Sequence, residues 1–283
     1  MHTVTTVAEL RQQINTWKSQ GKKIVLVPTM GNLHNGHLML MKHARRCGDK
    51  TVCSIFVNAL QFDRSGDLKD YPRTPEQDLA ALQDENVNLV FMPDHEEVYS
   101  EVYKPKQEIP KHALNEQLCG KYRPGYFDGI VEVVARLFHI VNPDVAVFGE
   151  KDYQQLIIIK RLVQDMGFPI KIEQVATQRE EDGLAYSSRN SYLRTEERAK
   201  AKYIYETLLE IKTQINSGSR DFGTLEKRAV EQLTMVGFRP DYVAVLDARN
   251  LAITTYDTDY IVVLVAAWLG KARLIDNILL RTR

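Results

Sequence analysis

The sequence predicts an α/β protein: a Rossmann-like doubly wound parallel sheet followed by a smaller α+β C-terminal domain. Three observations predict it. Short, continuous apolar runs alternate with helical stretches over the first two-thirds of the chain. Such runs are expected of strands buried on both faces of a parallel sheet. The pattern breaks near residue 177, and at roughly 150 residues per domain a 283-residue chain has room for about two. The predicted boundaries are 1–176 and 177–283.

The elements follow in order. The run Ile24-Val25-Leu26-Val27 predicts the first buried strand, with a helix over 38–47 after it. Residues 51–57 are apolar and β-rich, a second strand. A helix is predicted over 75–85, with Thr74 as N-cap and Pro75 at its first position. Residues 88–92 form a third strand, stopped by Pro93. The polar stretch 94–124 carries Pro105 and Pro110 and is expected to hold little regular structure. Then come a helix over 128–141, a strand over 144–148, a helix over 152–166 and a strand over 170–175. Beyond the polar run 178–190, helices are predicted over 195–215 and 221–236, with Ser217-Gly218-Ser219 as a turn between them. Strand-like runs at 242–246, 260–267 and 273–280 complete the second domain.

Composition narrows the function. Lys+Arg and Asp+Glu both number 37, so the net charge is zero, which argues against a protein held to nucleic acid mainly by a basic surface. Apolar residues make up 44% and charged residues 26%, which excludes disordered, collagen-like and low-complexity classes. Cys47, Cys53 and Cys119 are too few and too scattered for a disulfide framework and lack the paired spacing of a zinc site. They are expected to be reduced thiols. No basic segment followed by an apolar run opens the chain, and the longest apolar stretch, 260–269, falls short of the ~20 residues a membrane helix needs. A soluble cytoplasmic protein is expected.

Four stretches carry candidate chemistry. Directly after the first strand the chain reads Pro28-Thr29-Met30-Gly31-Asn32-Leu33-His34-Asn35-Gly36-His37. A helix N-terminus at that point offers N–H groups and a positive dipole end, which suit a phosphate. Gly36 lets a ligand approach the backbone, and the imidazoles can donate hydrogen bonds to charge developing on a phosphoryl group. Spacing alone leaves open that the histidines only serve the turn; a metal reading lacks a third ligand nearby in sequence. The second stretch, Gly149-Glu150-Lys151-Asp152, ends the fourth strand. There Lys151 can neutralise phosphates, Asp152 can cap the helix or hold a ribose hydroxyl, and Gln155 lies one turn on. The third is Ser187-Ser188-Arg189-Asn190 at the domain junction, whose hydroxyls and guanidinium suit a triphosphate tail. The fourth, Val57-Asn58-Ala59-Leu60-Gln61-Phe62, ends the second strand, and Gln61 offers a donor and an acceptor to a small polar substrate. The alternatives, a solvated helix start, an exposed linker and a loop glutamine, stay open for each stretch singly. Their convergence on strand ends and the domain junction favours one site.

These stretches, together with Tyr71-Pro72-Arg73-Thr74, Asp182-Gly183-Leu184-Ala185 and Ala266-Ala267-Trp268-Leu269-Gly270, resemble the pantoate–β-alanine ligase family of the nucleotidyltransferase-like superfamily from end to end. The resemblance implies a Rossmann-like domain with a C-terminal lid domain, a homodimer, and use of ATP with Mg2+. It implies that pantoate is adenylated, and that β-alanine displaces AMP from the pantoyl adenylate. It implies that Met30, Gly31, Asn32, Leu33, His34, Asn35, Gly36 and His37 line the nucleotide site, with His37 at the position of the family's proton donor. Lys151 would contact the phosphates, and Gly149, Glu150 and Asp152 would complete the pocket with Gln178 and Tyr186. Ser187, Ser188 and Arg189 would close over the triphosphate. Gln61 and Gln155 would hold pantoate, with Asn58 and Phe148 nearby. No protein metal ligand is implied. The sequence departs from the family pattern at Ala59, where proline is usual, at Tyr126, where histidine is usual, and at Gln178 and Tyr186, which are usually apolar.

Rival readings explain less. A nucleotidyltransferase acting on a phosphorylated acceptor would share mainly the first motif and keep AMP in its product. A relative of aminoacyl-tRNA ligases would need a tRNA-binding domain. A nucleotide sensor would not need both a phosphate-binding set and a second-substrate set.

Overall fold

The computed structural model of the protein describes residues 1–62, 68–69, 71–105 and 107–282. They group into two units. The first comprises 1–149 and 158–176, the second 150–157 and 177–283.

The first unit is built on a six-stranded sheet in the order β1-β4-β3-β2-β5-β6, every pair parallel. Its strands are β1 (His2–Val4), β2 (Ile24–Thr29), β3 (Lys50–Ile55), β4 (Leu89–Phe91), β5 (Val145–Gly149) and β6 (Lys171–Val175). Residues 24–27, 52–54 and 145–148 are buried, as central strands covered on both faces require. From β2 the chain winds outward through β3 and β4, then returns to place β5 on the other side of β2. The order therefore reverses at β2 and β5, and this switch point is where open α/β sheets bind ligands.

The helices are α1 (Val7–Ser19), α2 (Asn35–Cys47), α3 (Pro75–Asp84), the short α4 (His95–Tyr99) and α5 (Cys119–Tyr122), α6 (Tyr126–Val141) and α7 (Tyr153–Asp165). One core packs Leu40, Met41 and Ala44 of α2 and Leu82 of α3 against Val25, Val27, Cys53, Val90, Val145 and Val147. The apolar character of α6 is explained by its position: twelve of its residues are buried, and it packs against α1 and β2. Gly129 allows this helix to meet the chain after β3, because a Cβ there would sit 2.4 Å from the Leu60 carbonyl oxygen.

Several expectations are corrected. The chain begins with a strand and a helix that the hydrophobic runs did not predict. β1 is only three residues long and pairs at the sheet edge, so it has no long apolar run. α1 did carry a signal: Thr6 and Glu9 form a capping box, and Val7, Leu10, Ile14 and Trp17 are buried at helical spacing. α2 starts three residues earlier than predicted, so His37 lies inside its first turn. The 94–124 stretch carries short helical turns as well as loop; residue 106 lies outside the described residues. Thr74 occupies the N-cap position of α3, but its hydroxyl donates to the Asp78 carboxylate at 3.1 Å instead of capping a backbone N–H.

The second unit holds α8 (Thr195–Ala201), α9 (Tyr203–Asn216) and α10 (Phe222–Met235) with an antiparallel sheet, β7 (Arg239–Asp247), β8 (Tyr260–Leu269) and β9 (Ala272–Arg281), in that order. The helix predicted over 195–215 is broken at Lys202. Ile204, Leu208, Ile211 and Ile215 of α9 and Leu225, Ala229 and Leu233 of α10 pack on Ile261, Val263, Val265 and Ala267 of β8. Residues 150–157 belong here because Asn277 of β9 donates to the carbonyls of Glu150 and Lys151 (2.8 and 3.0 Å), and the Tyr153 hydroxyl donates to Ala248 (2.8 Å).

Candidate active site

On the first unit, the loops after β2, β3 and β5 leave the same edge of the sheet. The first runs from Met30 to His34 and leads into α2, whose first turn holds His37; the second carries Asn58 and Gln61; the third follows Phe148 and Gly149, which end β5. The first and last of these loops flank the switch point.

The loop after β2 is held from outside. Gly31 and Asn32 both have positive φ (77° and 50°), a conformation that turns the chain sharply before the helix. The N–H groups of Asn32 and Leu33 donate to the two carboxylate oxygens of Asp78 at 2.9 and 2.8 Å. Asp78 is buried, and a Cβ on Gly31 would come within 3.0 Å of it. The carboxylate thus replaces the backbone partners that a left-handed turn denies these amides. Sequence reasoning missed Asp78, because its partners lie 45 and 46 residues away.

His34 is the N-cap of α2, with extended backbone, and its carbonyl accepts from His37 and Leu38 (2.8 and 3.1 Å). The two imidazoles lie 4.1 Å apart between centroids, tilted by 32°. The His34 backbone N–H donates to His37 Nδ1 at 3.3 Å. An accepting Nδ1 means that the neutral ring carries its proton on Nε2.

The 58–61 turn is equally constrained. Asn58 is buried; its Nδ2 donates to the Gly129 carbonyl at 3.0 Å and its Oδ1 accepts from the Tyr99 hydroxyl at 2.8 Å. Its amide is therefore committed to the scaffold. The Gln61 carbonyl accepts from Arg123 Nη2 at 3.1 Å, and the Arg123 guanidinium stacks on the Tyr126 ring at 3.6 Å from the centroid. That stack gives Tyr126 a structural use. Phe148 is buried at the end of β5.

On the second unit, Glu150 to Asp152 form a 3-10 turn at the start of α7, and Gln155 is half-buried in that helix's first turn. Asn277 fixes the Lys151 main chain. Asn277 is in turn placed by a pair that sequence reasoning did not find: Arg179 bonds both oxygens of the buried Asp276 (2.6 and 3.0 Å) and the Asn277 carbonyl (3.2 Å). Arg179 also bonds the Gly183 carbonyl and stacks on Tyr205 at 3.7 Å. Residues 178–186 form a tight hairpin in which the Tyr186 N–H donates to the Gln178 carbonyl. Its acidic tip, Glu180 and Asp182, is clamped by Arg198 (2.7 and 2.5 Å), which holds the Asp182 carboxyl below its ordinary range. Ser187 caps the following turn by accepting from the Arg189 N–H at 3.2 Å, and Asn190 donates to Glu180 and Ala185. The backbones of Lys151 and of 178–190 are thus parts of one bonded network.

A switch point flanked by a histidine-bearing helix start, on a parallel sheet, defines a nucleotide-binding α/β enzyme. The family profile described as Pantoate-beta-alanine ligase matches residues 2–279, and the chain belongs to that family. The chain is 48% identical over 277 residues to the pantothenate synthetase of Aeromonas hydrophila subsp. hydrophila, covering 98% of this chain and 97% of that one. It is 47% identical over 278 residues to that of Neisseria meningitidis serogroup B, covering 98% of each. Among solved structures, the pantothenate synthetase of Thermus thermophilus is similar with a TM-score of 0.90 at 43% identity, covering 98% of this chain and 99% of that one. The pantoate-β-alanine ligase of Francisella tularensis, solved with β-γ ATP and β-alanine, is similar with a TM-score of 0.82 at 33% identity, covering 99% and 97%.

Proposed function

We propose that the chain joins (R)-pantoate to β-alanine at the expense of ATP, giving pantothenate, AMP and diphosphate through a pantoyl adenylate. The family match over residues 2–279 carries this reading. A free carboxylate is a poor electrophile. Attack of the pantoate carboxylate on the α-phosphorus expels diphosphate and leaves an acyl–phosphate anhydride. The amine of β-alanine then attacks the acyl carbon, the C–O bond to AMP breaks, and the amine loses a proton. The first step concentrates negative charge at the phosphates, so donors and cations must already be in place.

The roles follow residue by residue. His37 and His34 donate to the phosphates, and the proton on His37 Nε2 makes that atom the donor. Met30, Gly31, Asn32, Leu33, Asn35 and Gly36 form the cradle, and Gly149, Glu150 and Asp152 complete the nucleotide pocket with Gln178 and Tyr186. Lys151 neutralises phosphate charge; Ser187, Ser188 and Arg189 hold the triphosphate. Gln61 and Gln155 hold pantoate, Gln61 also meets β-alanine, and Phe148 supplies an apolar wall. Asn58 acts through the 58–61 turn that it braces. Nucleotide and pantoate binding are assigned to 1–176 and the lid role to 177–283. We propose further that the enzyme is a cytoplasmic homodimer; among the described residues no helix is long and apolar enough to cross a membrane.

ATP is taken as its Mg2+ complex. Both Asp78 oxygens already accept backbone N–H groups, which commits the buried carboxylate behind the 31–33 turn to the scaffold. An Mg2+ ion that arrives on ATP phosphate oxygens keeps several of its waters and needs at most one or two protein carboxylates. Bound there, Mg2+ supplies charge neutralisation.

The test is diphosphate release from Mg-ATP with pantoate present and β-alanine absent, followed by AMP and pantothenate after β-alanine is added. Pantoate-dependent diphosphate, stoichiometric with active sites, then β-alanine-dependent turnover, is the expected result. Release that ignores pantoate would overturn the reading.

A further inference from the structure

α2 carries two more ligand-type side chains beyond its N-terminal histidines. His43 and Cys47 are four residues apart and therefore share one helix face. The edge strand β6 lies against α2 and brings Glu173 to that face. His43 Nε2 lies 3.4 Å from Glu173 Oε2, and the ligand atoms of all three residues lie within 4.8 Å of one another. Lys171 Nζ binds the other carboxylate oxygen at 2.6 Å, which orients Oε2 toward the helix. All three residues are half-buried.

We propose that His43, Cys47 and Glu173 form a Zn2+ site, with an open fourth position for water. Two ligands about 2.0–2.1 Å from a tetrahedral Zn2+ stand ~3.4 Å apart, and a sulfur at ~2.3 Å stands slightly farther from each. The His43–Glu173 separation already has this value, so an adjustment of about 1 Å at Cys47 closes the set. Imidazole, thiolate and carboxylate together select a borderline cation; Mg2+ and Ca2+ demand an all-oxygen shell. Burial and the Glu173 carboxylate push the Cys47 thiol up, so the ion enters by forming a Zn–S bond and releasing the thiol proton to solvent. Lys171 is the outer partner of the carboxylate, the kind of support that metal ligands commonly have. Cys47 is about 15 Å along the helix from His37, so the site is separate from the nucleotide cradle. A bound ion would tie the C-terminal half of the catalytic helix to the sheet edge. The sequence hid this set because Glu173 is 130 residues from His43.

The test is titration of the chelator-stripped full chain with Co2+, read by absorption, with Zn2+ as competitor. The wild type should gain a thiolate-to-metal charge-transfer band and tetrahedral d–d bands, both abolished by Zn2+. Cys47→Ser should lose the charge-transfer band. His43→Ala and Glu173→Gln should keep it but bind more weakly, by more than the roughly 10–100-fold that loss of an outer partner costs. Cys119→Ser should titrate like the wild type. Ligase turnover of each variant verifies that it is folded. If the wild type shows no charge-transfer band, or Cys47→Ser keeps it, the site does not exist and His43 and Glu173 are merely a hydrogen-bonded pair.

Discussion

At the scale of single residues, the proposed catalysis rests on a few donors whose neighbours fix them. His37 is oriented by one backbone N–H, and the Lys151 main chain by one buried amide. Replacing His37 or Lys151 by alanine should lower pantoate-dependent diphosphate release by about 10²–10³, the usual loss for one preorganised donor. Melting temperatures should barely move; a variant with near-normal release would remove the assigned role. Gln155→Ala should raise the KM for pantoate more than that for ATP, and equal changes in steady-state assays would contradict its assignment. The sequence could propose these residues because they sit in a contiguous motif or shortly after a strand. It could not propose Asp78, Arg179 and Asp276, because each acts through contacts distant in sequence. A Thr-x-x-x-Asp start to a helix looks like an ordinary polar first turn until the loop it bonds is seen.

At the scale of elements, two buried charges organise the loops. Asp78→Ala removes the acceptor of two backbone N–H groups, and each buried donor left unsatisfied costs about 1–3 kcal/mol. The urea midpoint should fall and diphosphate release should drop with it; unchanged release would mean that the 31–33 turn holds its shape alone. Arg179→Met leaves Asp276 buried without its cation and should destabilise the second unit by about 3–5 kcal/mol, whereas Arg179→Met with Asp276→Leu should recover most of that loss in urea unfolding. The long elements were readable because apolar runs and helical spacing are local signals. The start of the chain was overlooked for a different reason: β1 is stabilised by its neighbour β4, and α1 announces itself by a cap and four spaced apolar residues, not by a continuous run. The break at Lys202 left no comparable mark, since both flanking stretches are good helix formers.

At the scale of the whole molecule, pH acts through carboxyls that take no part in the proposed chemistry. The Arg198 clamp holds Asp182 below its ordinary carboxyl range, so its contribution to stability is complete above about pH 4 and is lost as pH falls through the lowered value. Acid should therefore loosen the 178–186 hairpin, and Arg198→Ala should flatten that acid dependence. Glu226 has the opposite sign. Burial raises its carboxyl above 4.5, although the Val245 N–H donates to it at 2.8 Å. The folded state then holds the proton longer than the unfolded chain does, so stability falls as pH rises through that window. Glu226→Gln should stabilise the protein at pH 7 and have little effect below the window. The two tryptophans divide the reporting: Trp17 lies in the first unit and Trp268 in the second, so Trp17→Phe and Trp268→Phe variants let fluorescence follow each unit separately.

The chain crosses from one unit to the other three times, after residues 149, 157 and 176. The two units are therefore not beads on a string, and no single scissor cut yields both intact. A fragment beginning at 177 would lack the eight residues whose carbonyls Asn277 holds and whose tyrosine bonds Ala248. Its β9 would carry a buried amide with nothing to donate to. Gene fusions, split reporters and circular permutants that treat 177–283 as a portable module should give insoluble or loosened products, and grafting 150–157 back through a linker is the repair this architecture calls for.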